Sequence, residues 1–424
     1  MTKPNQSEPI TQQLEDFLKT VITDLNPEPT HTRGKPRTLP AVALWAGMLV
    51  CVARGFTAQL ELWRLLSSKG LWDFPRFTIS DDAVYKRLKN ASQDTMKTVF
   101  EHVTMLLALR FTSPVQPLAA FATGVFALDE MTLDQIKKRL PSLRGKVEAV
   151  LPGTITALFD VRSQRWRRLE FHESTVQNEK VAARSMLEFI PKGSLVLADL
   201  GYFAFAWFDH LTDRGFHWIS RFRTKTSYEL IHTLYESNGV LDAIVWLGKH
   251  RADQAAHAVR LVVFTKNKTT WRYVTNVLDP RALSVREISV LYARRWDIEM
   301  MFNLIKTHLN LHVLWSSHVN VVLHQVFAVF TVAQIILGLR SEIAARANAD
   351  VFDVSLDLMI RWLPRFAEGG EDPVLAMVER GRAAKIIRAA SRFRWEVPDV
   401  PLSRVFWLPD GTVLTRVARY AGKV

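Results

Sequence analysis

The sequence has almost no cysteine. Among its 424 residues only Cys51 carries a thiol, and it lies in the apolar run AVALWAGMLVCV. One thiol cannot form a disulfide or a cysteine-ligated zinc site within the chain, so both are excluded as sources of stability. The scarcity of cysteine indicates a reducing compartment. Its apolar neighbours predict that Cys51 is a core residue and not a nucleophile.

The sequence also lacks an uninterrupted apolar segment typical of a leader or a membrane span. The first twenty residues are polar, unlike a secretory signal peptide. The apolar run 39–52 is too short to cross a bilayer comfortably. The run 321–339 is long enough, but His324, Gln325 and Gln334 interrupt it. Both runs are predicted to be buried helices of a globular protein, and no membrane partner is expected.

The sequence has fewer acidic than basic residues. Lysine and arginine number 55 against 42 aspartate and glutamate residues, a net charge of +13 with a pI of about 9.9. This surplus indicates a polyanionic partner, with nucleic acid favoured over an anionic membrane surface. A basic surface that serves only solubility is the alternative. Hydrophobic residues make up 48% of the chain, enough for a sizeable core, and the length suggests roughly two to four domains.

No internal repeat of fixed period is visible. Residues 39–112 show helical patterns. Ser80 can cap a helix that has an acidic first turn and carries Lys86 and Arg87 further along. An apolar helix, a turn and a short basic helix predict a DNA reader of the helix-turn-helix kind, and a plain helical bundle is the alternative.

From Thr123 onward, short apolar runs of strand length alternate with helical patterns, which predicts an α/β fold. GTITALFDVRSQRWRRLEFHES has the pattern of a β-hairpin. The run VFAL is followed by Asp129, and LVLA by Asp199. Strand ends expose side chains to a crevice, so both aspartates are candidate site residues. A β-rich stretch between 215 and 276 precedes a helix that contains Glu299.

Three such carboxylates, far apart in sequence and joined by a fold, would suit an enzyme acting on phosphodiesters. Such enzymes clamp the attacking and leaving oxygens with two divalent ions roughly 3.5–4 Å apart, and Mg²⁺ prefers oxygen ligands. For a single aspartate after a strand, a turn or cap role is more common. Five other acids are rivals: Glu130, Asp134, Asp160, Asp209 and Asp213.

The stretch LYARRWDIEMMFNLIKTHLNL places Tyr292, Arg295, Glu299 and Lys306 along one helical stripe. An arginine fork and a lysine on that stripe can hold phosphate, and the tyrosine hydroxyl can bond a phosphate oxygen. The alternative is an exposed Arg295–Glu299 salt bridge of small energy, about 0.3–0.5 kcal/mol.

Residues beside this stripe are predicted to be structural. Trp296 is expected in the core rather than against a base. Met300 is expected to be ordinary helix packing, and Arg294 and Asp297 are expected to be solvated or structural.

The spacing Tyr292-x2-Arg295-x3-Glu299-x6-Lys306 resembles the Y-R-E-K signature of DDE transposases of bacterial insertion sequences, in the insertion-sequence-four family. The RRWDIE context and the preceding TNVLDP also resemble that family.

Two further motifs carry the resemblance, which covers about 123–311. ADLGYF, with Asp199, resembles the second-aspartate motif of the family. FALDEMTL, with Asp129, resembles the first more loosely, because the family usually has a small residue where this chain has Glu130. Asp134 is the fallback for that position.

The resemblance implies a ribonuclease-H-like catalytic core interrupted by a β-rich insertion. Asp129, Asp199 and Glu299 would be the catalytic residues and the ligands of two Mg²⁺ or Mn²⁺ ions, with no organic cofactor. Family members bind and cleave element ends and join the 3′ ends to target DNA, in some cases through a hairpin end. A homodimer on double-stranded DNA, in the cytoplasm of a bacterium and associated with the nucleoid, is expected.

The same resemblance sets the expected domains. They are a flexible arm (1–38), a helical DNA-binding domain (39–120), a ribonuclease-H-like core (121–214 and 277–345), the β-rich insertion (215–276), and a C-terminal helical region with an extended tail (346–424).

The resemblance also implies further DNA contacts. Tyr292, Arg295 and Lys306 would contact DNA near the cleavage point, and Arg221 and Arg223 would contact the DNA end. Other candidates are less specific: Trp218, Trp246 and Trp271 for a flipped base, and Lys385, Arg388 and Arg392, on one face of a C-terminal helix, for phosphates or solvent.

Two alternatives to a transposase are kept open. A non-catalytic DNA-binding protein derived from a transposase would need the basic surfaces alone. A metal-dependent nuclease without joining activity would share the carboxylates.

Overall fold

A computed structural model describes most of the chain. The described residues are 9–26, 38–111, 118–132, 153–172, 179–250, 252–266, 268–311, 313–389 and 398–420. Most of the predicted arm, the fallback Asp134 and the candidate Arg392 lie outside them.

Five helices form the N-terminal part. The fourth begins as predicted, because the Ser80 hydroxyl accepts a hydrogen bond from the Ala83 amide and satisfies one of the free N–H groups of the first turn. The second is apolar on nearly all sides and is buried accordingly, with Cys51 fully inaccessible. The bounds are α1 Ile10–Leu25, α2 Ala41–Ala53, α3 Leu60–Ser68, α4 Asp81–Asn90 and α5 Asp94–Arg110.

A single sheet of nine strands forms the centre of the described molecule, in the order β3-β2-β1-β4-β5-β9-β8-β7-β6. Strands β1, β4 and β5 are parallel neighbours, and the other pairs are antiparallel. The predicted hairpin is confirmed as β2 and β3. The bounds are β1 Val125–Thr132, β2 Thr154–Asp160, β3 Arg165–His172, β4 Leu195–Ala198, β5 His217–Arg221, β6 Tyr228–Ser237, β7 Val240–Leu247, β8 Ala258–Lys266 and β9 Thr269–Thr275.

The predicted β-rich stretch thus consists of β5 to β9 and extends the sheet without a break. β5 pairs in parallel with β4, and β9 pairs antiparallel with β5. Two helices of the described residues precede this stretch: α6 Glu179–Met186 lies between β3 and β4, and α7 Phe205–Asp213 lies between β4 and β5.

The predicted buried helix at 321–339 is confirmed as part of α10 (Val319–Arg346), which packs against α2 and α5 and contacts β3. Its polar interruptions are buried, and the side chains of Gln325 and Gln334 are hydrogen-bonded. The Gln334 amide donates to the Trp166 carbonyl at 2.8 Å and accepts from the Trp166 amide at 3.1 Å. The Gln325 side chain accepts from the Trp315 amide at 2.9 Å. In the described part of the chain, α10 is the one helix long and apolar enough to cross a membrane, a test that core helices also pass.

The remaining helices flank the sheet and lead to the tail. The chain is helical less far than predicted, because α12 ends at Arg380. Lys385 then has a left-handed backbone with φ 57°, which an α-helix does not accommodate. The predicted helix face that joins Lys385 to Arg388 is therefore wrong. The bounds are α8 Val285–Arg294, α9 Trp296–Thr307, α11 Leu356–Glu368 and α12 Pro373–Arg380.

The described end of the chain is an extended tail, as predicted. Residues 398–420 cross the β-rich half of the sheet and bridge in antiparallel fashion to the segment before β8, where Gln254 pairs with Arg419 and His257 with Thr415. The overall architecture is mixed α/β, with a large central sheet and helical flanks.

Candidate active site

Two of the candidate carboxylates lie side by side on neighbouring parallel strands. Ala127 of β1 is in register with Leu197 of β4. Asp129 and Asp199 each follow two residues later, and parallel strands advance in the same direction, so the two aspartates lie at the same end of the sheet. Asp129 lies within β1, which continues to Thr132, and not at its end as the sequence suggested.

The third carboxylate comes from a helix packed on this part of the sheet. α9 contacts β1 and carries Glu299 in its first turn. Its charge reaches Asp129, whose pKa is raised to about 6. Burial is the main cause, and Glu299 and Asp199 raise the pKa further, whereas the Glu130 amide and Arg295 lower it. Glu299 and Asp199 therefore both lie within electrostatic range of Asp129.

Arg295 stands at the junction of two helices. The predicted single helix is wrong here: α8 ends at Arg294 and α9 begins at Trp296. The Arg295 amide bonds to the Tyr292 carbonyl three residues back at 3.1 Å, and the Arg295 carbonyl accepts from the amide of Ile298 at 3.3 Å. The change to three-residue spacing interrupts the α-helical ladder.

The side chain of Arg295 is 5% exposed and pairs with Glu299, with 2.6 Å between Nη2 and Oε1. The ion pair considered as the alternative is thus present. It does not use the whole guanidinium group, because Nε and Nη1 are buried without a hydrogen bond of good geometry in the described residues. Buried donors without well-formed bonds cost free energy, so these two nitrogens are free to donate to a better acceptor than the nearby Tyr292 hydroxyl.

Tyr292 lies beside Arg295 and is also buried. Its ring packs on Tyr273 at 5.3 Å between centroids, and its hydroxyl, like the two nitrogens of Arg295, has no hydrogen bond of good geometry in the described residues. Burial raises the pKa of Tyr292 to about 12, and the charges of Arg295 and Arg221 act in the opposite direction. The hydroxyl is therefore a neutral hydrogen-bonding group within a cationic surrounding.

The carboxylates fit a divalent cation by chemistry, although they do not converge on one point. No group of three or more histidine, cysteine, aspartate or glutamate side chains among the described residues is arranged to hold a metal ion. One oxygen of Asp129 accepts from the Glu130 amide at 2.8 Å, and one of Asp199 accepts from the Leu200 amide at 2.6 Å. Hard oxygen donors that repel one another nevertheless suit Mg²⁺ or Mn²⁺, because a cation would relieve the repulsion.

The other predicted DNA contacts divide into two groups. Arg221 and Arg223 are exposed. The first lies over the Trp271 ring at 5.5 Å, and the second donates to the carbonyl of Leu200, next to Asp199, at 2.8 Å. Both border the carboxylates.

The remaining predicted cations lie in other surroundings. Lys306 is partly buried, with its ammonium group 5.9 Å from the Phe302 ring. On α4, Lys86 is exposed and pairs with Asp82 at 2.7 Å, whereas Arg87 donates to the Leu39 carbonyl.

The prediction for Trp296 is wrong. This side chain is 56% exposed beside the Arg295–Glu299 pair, and Met300, one turn further along α9, is 44% exposed. The spacing predicted that Trp296, which lies off the charged stripe, would face the core. In the structure the residue that faces the core at this point is Asp297. That residue is fully buried, accepts from the Gln164 side chain at 2.7 Å and lies 3.6 Å from Arg294.

The rival acids Asp209, Asp160 and Asp213 have structural partners, and Asp213 lies 2.6 Å from the His257 ring. Asp209 is buried and accepts from the Ala256 and His257 amides at 2.7 and 3.1 Å. Asp160 accepts from the amides of the turn that follows it. Among the tryptophans, Trp218 is fully buried and stacked on Phe208 at 4.1 Å, so it is a core residue.

Comparison with known proteins shows which family the central part of the chain is similar to. Residues 152–334 match the family model of the transposase DDE domain. That range includes Asp199 and the whole 292–306 signature, whereas Asp129 lies before it.

A protein named as a transposase for insertion sequence element IS4SA, from Synechocystis sp., is 27% identical over 139 residues. The match covers 30% of this chain and 39% of that protein, so the chain spans about two fifths of the relative. The resemblance to a DDE transposase of the insertion-sequence-four type is thus confirmed. A cryo-EM structure of the piggyBac transposase synaptic complex with hairpin DNA is similar at a TM-score of 0.43 and 8% identity, covering 92% of this chain and 85% of that one.

Proposed function

We propose that this protein is a DNA transposase that cleaves element-end DNA with two divalent metal ions and joins the 3′ ends to target DNA by cut-and-paste transposition. One observation carries the proposal. Asp129 and Asp199 are aligned on parallel strands, and the charge of Glu299 acts on Asp129. DNA binding alone requires no cluster of carboxylates beside phosphates, so this arrangement favours an enzyme over a non-catalytic DNA-binding protein.

The fold supports a ribonuclease-H-like core. The order β3-β2-β1-β4-β5, with β2 antiparallel and β4 and β5 parallel to their neighbours, holds both aspartates on central strands. We place β5 with this core, although it falls inside the predicted insertion 215–276, because it pairs directly with β4. The remaining boundaries stay as predicted, with 39–120 as the DNA-binding part and 346–424 as the C-terminal region.

Asp129, Asp199 and Glu299 are the proposed metal ligands. When bound, two divalent ions would activate the attacking oxygen and stabilise the leaving oxygen of the phosphodiester. The protein's own contribution is to hold DNA. Arg295 can turn its two unpaired nitrogens toward a phosphate, and the Tyr292 hydroxyl can donate to the same group.

Further cations would add phosphate contacts along the DNA. Arg221 and Arg223 stand exposed beside the carboxylates, and we propose that they contact the element end. Lys306 would contribute a point charge. The basic surplus of the chain supports double-stranded DNA as the partner. A homodimer on DNA, a hairpin end as an intermediate, and a cytoplasmic, nucleoid-associated location are the further parts of the proposal.

The test compares Glu299→Gln with Glu236→Gln, a matched change at an exposed position on β6. The substrate is a linear duplex that carries the DNA sequence bordering the coding gene, in Mg²⁺. Cleavage by Glu299→Gln should fall at least about a hundredfold, because loss of a metal ligand removes several kcal/mol of transition-state stabilisation. DNA binding by gel shift should remain, and the control should cleave normally.

Retained cleavage in Glu299→Gln would overturn the assignment of the site. A second assay supplies a pre-cut end and a target plasmid. Joined product supports a transposase, whereas cleavage without joining identifies a metal-dependent nuclease.

A further inference from the structure

A cavity of about 370 Å³ lies where the end of α5, the β2–β3 turn and the last turns of α10 meet. Three arginines line it, and each is almost fully buried: Arg110 is 5% exposed, Arg162 7% and Arg165 6%. Buried guanidinium groups are rare unless an anion pairs with them. The partners of these three therefore decide what the cavity can hold.

Arg110 has an anionic partner inside the protein. Its Nη2 lies 2.9 Å from a carboxylate oxygen of Glu342, which also pairs with Arg346 at 2.7 Å. This guanidinium is neutralised in place.

Arg162 is bonded to backbone carbonyls alone. It donates to the carbonyls of Leu118, Ala119, Ala122 and Thr123, at 2.7 to 3.2 Å. These bonds satisfy donors but leave the positive charge without a counter-ion. No carboxylate of the described residues lies within ion-pair distance of this group.

Arg165 is likewise bonded to backbone carbonyls and not to a carboxylate, and fewer of its N–H groups are used. It donates to the carbonyls of Leu107 and Phe111, so two of its five N–H groups are used. Its guanidinium lies 5.6 Å from the Phe111 ring, and that of Arg110 lies 5.5 Å from the same ring. The remaining N–H groups of Arg165 have no partner in the described part of the chain, and burial lowers its pKa to about 10.

Two acids stand near this cation pair without neutralising it. Burial lowers the pKa of both Arg162 and Arg165, and the charge of Asp160 only partly opposes this effect. One oxygen of Asp160 accepts from backbone amides of the turn. Asp350 lines the cavity and accepts from the Phe352 amide. Neither carboxylate lies within 4.0 Å of either guanidinium. Among the described residues, the two arginines thus face the cavity without an ionic partner.

We infer that this cavity, which Arg162 and Arg165 line, is a binding site for a phosphate monoester. A tetrahedral dianion has three terminal oxygens, so it can accept from two guanidinium groups and from the Ser163 hydroxyl, which also lines the cavity. The Ser341 hydroxyl, also in the lining, already donates to the Leu337 carbonyl at 3.1 Å. Pockets of about 300 Å³ and above hold small organic ligands, so a nucleotide can follow its phosphate inside.

This site is distinct from the carboxylate site and does not rest on the proposed function. In the β1–β2 ladder Phe126 pairs with Asp160 at one end, and Thr132 pairs with Thr154 at the other. The cavity adjoins the first end, whereas Asp129 pairs with Ala157 at the middle of the ladder. The phosphate can come from a free nucleotide or from the 5′-phosphorylated end of a DNA strand, and both present the same group.

The test adds negative charge to the cavity wall without touching the arginines, whose removal would free buried carbonyls. Ala345 lines the cavity on the exposed side of α10. Ala345→Glu is compared with Ala345→Gln, which has the same size and no charge. Titration calorimetry of the full chain, in EDTA and at low salt, uses inorganic phosphate and then adenosine monophosphate.

Saturable binding should be seen with wild type and Ala345→Gln and should weaken about tenfold or more in Ala345→Glu, since one added unit charge near a protein surface has an effect of that order. Absence of binding to wild type, or equal affinity in the two variants, would overturn the inference.

A further pair of titrations distinguishes the sources. An oligonucleotide with a 5′-phosphate is compared with the same strand ending in a 5′-hydroxyl. Tighter binding of the phosphorylated strand, lost in Ala345→Glu, identifies a DNA end as the ligand. Equal binding of the two strands, together with charge-sensitive binding of the mononucleotide, identifies a free nucleotide.

Discussion

Asp129 is a residue at which folding and the proposed function conflict. The folded chain raises its pKa from 3.8 to about 6, mainly by burial and further through Glu299 and Asp199. At neutral pH the unfolded chain therefore ionises this carboxyl at a lower cost than the folded chain does. A partly buried acid kept at the expense of stability is typical of a functional site.

Replacing Asp129 by asparagine should stabilise the protein in a pH-dependent way. Because the folded pKa is raised, the penalty is absent below about 3.8 and complete above about 6. At pH 8 the free energy of unfolding should rise by about 1–3 kcal/mol, with a smaller gain at pH 5. Urea unfolding at both pH values measures this.

The matched control for this experiment is Asp410→Asn, at an exposed position of the tail. It should change neither value by more than about 0.5 kcal/mol. An equal gain for Asp129→Asn at both pH values would show that the ionisation of Asp129 does not oppose folding.

At the scale of elements, the sequence predicted what local patterns determine. The β2–β3 hairpin, the cap at Ser80 and the buried α10 follow from alternation, capping chemistry and apolar length. The register of Ala127 with Leu197 could not be predicted, because it depends on pairing between distant segments.

The α8–α9 junction is a second feature that could not be predicted from the sequence. The spacing from Tyr292 to Lys306 indicated one stripe, yet the three-residue turn at Arg295 and the burial of Asp297 leave Trp296 exposed. The partner of Asp297 is Gln164, from the β2–β3 turn. A contact between residues so far apart leaves no periodic signal in the sequence.

His324 makes α10 sensitive to acid. Burial against neighbours that include Trp45, 4.8 Å away, lowers its pKa from 6.5 to about 4. A depressed histidine pKa means that stability is complete above about 6.5 and is lost as pH falls toward about 4. The free energy of unfolding should drop by up to about 3 kcal/mol from this group over that window.

Thermal unfolding of His324→Gln between pH 7 and pH 4.5 tests this. The variant should lose part of the pH dependence of the wild type, whatever its absolute stability. His250→Gln, at an exposed position, should keep the full dependence. An unchanged pH dependence in His324→Gln would exclude this histidine as the cause.

At the scale of the whole molecule, the tail fastens the far half of the sheet. Arg416 donates to the carbonyls of Leu247, Gly248 and Ala255 at 2.6 to 3.0 Å and lies over the Trp246 ring at 4.7 Å. The Tyr420 hydroxyl donates to Asp209 of α7 at 2.8 Å. The C-terminal tail thus connects a helix and several strands that are remote in sequence.

Arg416→Ala should release the tail without unfolding the rest. Loss of three hydrogen bonds and a cation–π contact removes about 2–4 kcal/mol locally. Hydrogen exchange measured by mass spectrometry should then accelerate in peptides that cover 412–420, including the Arg419 amide that bonds to Gln254. Arg404→Ala, at an exposed position, should leave this exchange unchanged, and slow exchange in Arg416→Ala would show that the tail is held by other contacts.

The order of elements along the chain has a consequence for synthesis. The helices α2 and α5, which cover α10, precede it by more than two hundred residues. A ribosome therefore releases this long apolar helix only after those two partners have been made. Synthesis from the N-terminus thus shortens the time during which the apolar surface of α10 is exposed and can contact other chains. Large proteins are most prone to aggregate at this stage.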